Sequence, residues 1–205
     1  DNVNKKSEIF FVEYDMENLV SKSNYIKNDF ILESTINMPE IKEKVKYDLT
    51  KSNSGYEDYL EFEGLIDINS DIRDQASNLA AGEDDIYIIA SKVAKWLIED
   101  IEYDLSTVLE NPNQKSSEVF VSKTGVCREI TNLYISMMRS LGIPARVVSG
   151  FSYTNSEEIV DFVGSNWGGH AWAEVLIADQ WVPFDLTYNQ YGFVDASHIV
   201  TDKHS

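Results

Sequence analysis

The chain has a single cysteine, Cys127, among 205 residues, so no disulfide can form within it and cysteine usage leaves the redox compartment open. Cations are also few: 17 Lys and Arg stand against 35 Asp and Glu, a net charge of −18. Nucleic-acid binding needs clustered positive side chains on phosphates, so no nucleic-acid partner is expected. The acidic surplus suits a cationic substrate or simply a solvated surface. No apolar run approaches the roughly 20 residues of a membrane-spanning helix, so no membrane segment is expected in this chain. Internal repeats and low-complexity tracts are missing too. The first residue is Asp1 rather than Met, which is expected of a processed form with any signal peptide or anchor out of view. What is present is ample core material, 43% hydrophobic and 12% aromatic residues, enough for one domain or one domain plus a modest extension.

Residues 1–66 carry short β-type runs at 9–14, 30–36, 44–49 and 59–66. Val45, Tyr47 and Leu49 alternate with Lys46 and Asp48, as Leu60 and Phe62 do with Glu61 and Glu63. A β-rich N-terminal module over 1–66 is expected, with a packing or tethering role and no chemistry of its own. From residue 67 the pattern turns helical. A short helix is expected over 71–80, ending before Gly82. A longer one follows, capped by Asp84 or Asp85, with Ile86, Ile89, Ala90, Val93, Trp96, Leu97 and Ile101 on one face. The segment 102–114 reads as a loop.

The stretch 119–153 holds the cysteine. Ile130, Leu133, Tyr134, Met137, Met138 and Leu141 recur at helical spacing behind Cys127, and Gly142 with Pro144 stops the helix. Cys127 therefore opens a helix, where unpaired N–H groups and the dipole favour thiolate over thiol. A lone cysteine is more often a small buried hydrophobe, so this position needs support from elsewhere. A strand is expected over 145–151, a turn over 154–156, and 157–164 is ambiguous.

That support lies downstream. Residues 168–177 read as a strand with His170, Trp172, Glu174 and Leu176 on one face, and 181–187 as the returning strand after an Ala178–Asp179 turn. Pro183 favours an edge position or a bulge. A two-residue turn sets Leu176 against Trp181 and Glu174 against Pro183. Asp185 then becomes the diagonal neighbour of His170, about 7 Å away between Cβ atoms. A one-residue slip would separate the pair. Cys127, His170 and Asp185 together are the parts of nucleophilic catalysis: thiolate, proton carrier and orienting carboxylate. Singly, His170 could be a satisfied half-buried histidine and Asp185 a strand-end cap.

The segments TGVCREITNLYISMMRSLGIPARVVSGF, GGHAWAEV and WVPFDLT, followed by NQYGFVDASHI, resemble the transglutaminase-like superfamily. The resemblance covers about 67–200. It implies an α+β papain-like, transglutaminase-core fold, with helices packed on an antiparallel sheet, as a catalytic domain over 67–205. By the same resemblance Cys127 is the nucleophile, His170 the general base and acid, and Asp185 its orienting partner. Leu186 stands where the family usually has proline. Trp96, Tyr103 and Trp167 are the candidate aromatics for a second oxyanion donor beside the Cys127 N–H, and none fits a motif. Arg146 and Glu174 belong to the matched motifs and are expected to be buried structural residues. His198 also matches, and a structural role is expected for it, since a second imidazole is not needed once His170 is assigned. No cofactor, metal or calcium site is implied.

The leading expectation is a thiol enzyme that cleaves peptide or isopeptide amides of a protein or peptide substrate through a thioester. Amine transfer to glutamine is the alternative within that chemistry, and a non-catalytic binding module on the same fold is the alternative outside it. Zinc held by Cys127, His170 and Asp185 is a weaker third reading, since the spacing matches no metal motif. The missing initial Met and the β-type module favour an exported or cell-surface setting.

Overall fold

The computed structural model describes residues 39, 41–47 and 55–205. The chain divides between Glu33 and Ser34, and every described residue belongs to the second unit. Helix α1 (Ser70–Ala80) starts where the Asn69 side chain accepts the Ile72 N–H at 2.9 Å, and Gly82 follows at φ +74. Helix α2 (Ile86–Asp100) is capped by Asp85, which accepts the Tyr87 N–H at 2.9 Å. Ile89, Ala90, Val93 and Leu97 of the expected apolar face are buried, Ala94 joins them, and Ile86 and Trp96 are half-buried.

The segment 102–114, expected as a loop, instead contains strand β1 (Glu102–Tyr103) and one turn of helix, α3 (Thr107–Glu110). Helix α4 (Ser116–Ser122) and strand β2 (Thr124–Gly125) follow. β1 and β2 pair in parallel, setting Tyr103 opposite Gly125. Two-residue strands have no periodicity of their own, so only the non-local pairing defines them.

Helix α5 (Cys127–Ser140) is buried at every residue over 129–139, more completely than an amphipathic stripe implies. It touches α1, α2 and α4 as well as the sheet. Several of its polar residues find partners inside: Thr131 donates to the Ala171 carbonyl at 3.2 Å, and Arg139 donates to the carbonyls of Ala145 and Glu61, while Glu129 Oε2 is buried with no hydrogen-bond partner. These bonds let a helix with polar residues on several sides be buried all round.

Strand β3 (Ala145–Tyr153), helix α6 (Glu157–Val163), strands β4 (Trp167–Ile177) and β5 (Gln180–Asp185), β6 (Gln190–Tyr191) and β7 (His198–His204) complete the domain. The sheet is antiparallel in the order β6-β5-β4-β3-β7. Ala178 and Asp179 both have positive φ, 53 and 59, the two-residue turn that suits a twisted hairpin. The register is the one counted from the sequence, Leu176 opposite Trp181 and Glu174 opposite Pro183. β6 pairs only with Phe184 and Asp185, so Pro183 sits where the sheet edge begins. Arg146 and Glu174 are cross-strand partners joined at 2.6 Å, and Lys203 adds a second cation at 2.8 Å.

The domain is therefore α+β, helices on an antiparallel sheet. Of the early β-type runs, 9–14, 30–36 and 48–49 lie outside the described residues. Lys46 makes one bridge to Asp85, while Tyr47 donates to the Leu141 carbonyl at 2.8 Å. The run 59–66, expected as a strand, instead enters from a 3-10 helix, Glu57–Leu60, and pairs with no strand. Carbonyls in it accept from Arg139 and Ser116, so its backbone is satisfied by α5 and α4.

Gly150 decides whether β7 can dock. A Cβ there would lie 1.9 Å from the Ile199 carbonyl oxygen and 3.1 Å from the Trp172 ring, where the β3–β7 register shifts. Gly150→Ala is expected to cost about 1–3 kcal/mol, read as a lower urea midpoint, because β7 must move to admit the methyl. An unchanged midpoint would mean that β7 gives way freely.

Candidate active site

Three elements meet at the site. α5 supplies Cys127 from its first turn, with no side chain capping its N-terminus. β4 supplies His170, and β5 ends in Asp185. The turn of the β4–β5 hairpin brings the last two together on one face, where His170 Nε2 lies 2.6 Å from Asp185 Oδ2. His170 is 8% exposed and Asp185 fully buried. Cys127 and His170 line the same pocket, close enough for the thiol to raise the affinity of the ring for its proton. All three residues singled out in the sequence are thus brought together, His170 bonded to Asp185 and sharing a pocket with Cys127.

The carboxylate is held on both oxygens. Oδ1 accepts the backbone N–H groups of Thr187 at 2.8 Å and Tyr188 at 3.1 Å. Oδ2 accepts from His170 and also from His198, whose Nε2 is 2.8 Å away. Sequence reasoning gave His198 a structural role without a place; the structure puts it, buried, on the same oxygen as His170. β7 carries it there by pairing beside β3, a contact far apart in sequence.

Burial alone would push Asp185 upward, but the hydrogen bonds from His170 and His198 bring it down to about 2. Burial likewise disfavours the charged His170 ring. The hydrogen bonds to Asp185 and Cys127 and their charges outweigh it, raising His170 to about 9. Among the described residues, His170, Asp185 and His198 have potential ligand atoms within 4.8 Å of one another. Their O···N separations of 2.6 and 2.8 Å are those of N–H donors on a carboxylate rather than of ligands spread around an ion. The set weighed from the sequence, with Cys127 in place of His198, is not that trio.

A pocket of about 140 Å³ opens onto Cys127 and His170. Leu105, Val108, Val126, Ile159, Phe162 and Val163 give it apolar walls, and Gly168 and Gly169 leave one side bare of side chains. Of the three candidate aromatics, Tyr103 lines this pocket. Trp96 packs on the core beside Phe120, and Trp167 meets Tyr153 edge-on. The Tyr103 hydroxyl is held well above its ordinary range, by burial first and then by the charge of Cys127. β1 places it there, and so short a strand leaves no sequence signal.

A model of the Transglutaminase-like superfamily matches residues 73–186. Over 75 residues the chain is 35% identical to uncharacterized protein YebA of Bacillus subtilis (strain 168), covering 34% of this chain and 10% of that protein. Over 92 residues it is 32% identical to uncharacterized protein Mb2599c of Mycobacterium bovis, covering 42% and 29%. It thus spans under a third of the length of these curated relatives. Among solved structures, a candidate cysteine protease from Cytophaga hutchinsonii superposes with a TM-score of 0.58 at 19% identity, over 80% of this chain and 58% of that one. That likeness is one of fold.

The raised His170 has a consequence for stability. A group that binds its proton more tightly when folded contributes fully below its unfolded value, near 6.5, and loses that contribution as pH climbs through about 9. The stability gap between the wild type and His170→Gln is expected to narrow between those limits in urea titrations. A gap that widened with pH would contradict the assignment.

Proposed function

Because the chain belongs to the transglutaminase-like superfamily, whose model spans more than half of it, we propose that it is a thiol enzyme acting on peptide or isopeptide amides through a thioester, with hydrolysis as its reaction. The observation that supports this reading is the buried His170, hydrogen-bonded to Asp185 and sharing a pocket with Cys127.

The steps follow from that order. His170 takes the thiol proton and Cys127 Sγ attacks the amide carbonyl carbon. A C–S bond forms, and the carbonyl π pair moves onto oxygen. The Cys127 backbone N–H at the head of α5 and the Tyr103 hydroxyl, which lines the same pocket, are the donors available to that oxyanion. As the oxyanion collapses, the C–N bond breaks and His170 gives its proton to the departing amine, leaving the thioester. Water then attacks while His170 takes its proton, the C–S bond breaks, and the acid leaves. Asp185 keeps the imidazole in one orientation throughout, its Nε2–H toward the carboxylate, which leaves the other nitrogen to exchange the proton. The apolar walls suit an uncharged side chain next to the scissile bond.

The test is turnover of a mixed peptide library followed by mass spectrometry, with and without a fluorescent primary amine. Cys127→Ala and His170→Ala are each expected to abolish turnover, and Asp185→Asn to lower it less completely. Tyr103→Phe is expected to lower kcat by about 10- to 100-fold with KM little changed. Products that carry the amine in place of water would reassign the reaction to amine transfer. Full turnover by Cys127→Ala would remove the thiol mechanism, and absence of turnover by the wild type would leave a binding module.

A further inference from the structure

We propose that His198 is a positioning residue of this site: it divides the Asp185 carboxylate with His170 and so sets how firmly the triad holds its proton. The inference rests on the function proposed above. Orientation of Asp185 does not require His198, because two backbone N–H groups already fix Oδ1. What a second imidazole changes is Oδ2, the oxygen that binds His170: two N–H donors share it, at 2.6 and 2.8 Å.

The His198 ring is itself fixed. It is 6% exposed, set edge-on to Trp172 and Tyr188, with its centroid 5.6 Å from that of His170. Its Nδ1 lies 3.2 Å from Asp195 Oδ1 and 3.3 Å from the Ser197 hydroxyl. Asp195 is anchored in turn by Gln190, which donates at 2.8 Å and accepts the Asp195 N–H at 3.0 Å. Carboxylates therefore stand at both nitrogens, a setting that favours a strong donor on Asp185. The groups facing this pair of rings are Asp185 from β5, Asp195 and Ser197 ahead of β7, Cys127 from α5, Trp172 from β4, and Tyr188, whose hydroxyl meets Ser152 of β3 at 3.1 Å.

The sign follows. Without the His198 N–H, the whole charge of Asp185 Oδ2 falls on His170, the imidazolium is held more tightly, and release of its proton to the departing amine slows. His198→Phe is expected to move the basic limb of the pH–rate profile upward by about one pH unit and to lower kcat about tenfold, with KM within about twofold. His198→Gln keeps one N–H where Nε2 stood and is expected to recover most of kcat. Asp195→Asn, at a half-exposed side chain, is expected to move the limb the same way by less. If the Phe variant fails to fold, the Gln and Asn variants carry the test. Limbs that stay with the wild type, or move downward, would overturn the proposal and leave His198 a packing residue.

Iodoacetamide alkylation of Cys127 against pH separates the two levels of inference. A profile that His170→Ala leaves unchanged removes the thiol-enzyme reading, and this inference with it. A profile that depends on His170 but not on His198 or Asp195 removes this inference alone.

Discussion

A carboxylate with no exposure to solvent has to be held by the protein or it does not stay charged. Taking an ion of that size out of water costs several kcal/mol, and each hydrogen bond to a charged group returns about 1.5–3 kcal/mol. Asp185 receives four such bonds, two from backbone N–H groups and two from imidazoles. The end of β5, the turn after it, the face of β4 and the start of β7 must all be in place for that count to be reached. The sheet order β5-β4-β3-β7 is the framework that meets this demand.

The thiol comes from the other layer. α5 is buried along nearly its whole length, clasped by helices and sheet, so its first residue has little freedom to drift. The helix is tied to the strand that carries His170 by Thr131, which donates to the Ala171 carbonyl, one residue beyond the histidine. The parallel pairing of β1 and β2 then sets Tyr103 beside the start of the helix. A site assembled this way has rigid elements behind the thiol, imidazole and carboxylate, as efficient positioning of reacting groups requires.

Local rules made much of this readable in the sequence. Apolar spacing behind Cys127 and the Gly142–Pro144 stop marked α5 to within a residue. The two-residue turn at Ala178–Asp179 fixed the hairpin register, and with it the meeting of His170 and Asp185. What escaped was set by distant partners. α4 opens at Ser116 with Glu118 reaching back to the Lys115 N–H, a weaker signal than a Ser or Asp cap. β1 is too short to show alternation, so Tyr103 stayed one aromatic among three. His198 was visible as a motif residue, but its place on Asp185 depends on a β3–β7 register that shifts at Gly150, which no local pattern announces.

The central claim is that Cys127 forms a bond to substrate carbon with His170 as its proton carrier. Intact-protein mass spectrometry after rapid acid quench of the protein with a peptide mixture tests it most directly. The account predicts an acyl adduct on Cys127 in the wild type, with none in His170→Ala. An adduct that forms equally without His170, or peptide cleavage with no adduct at Cys127 under any quench, would contradict it.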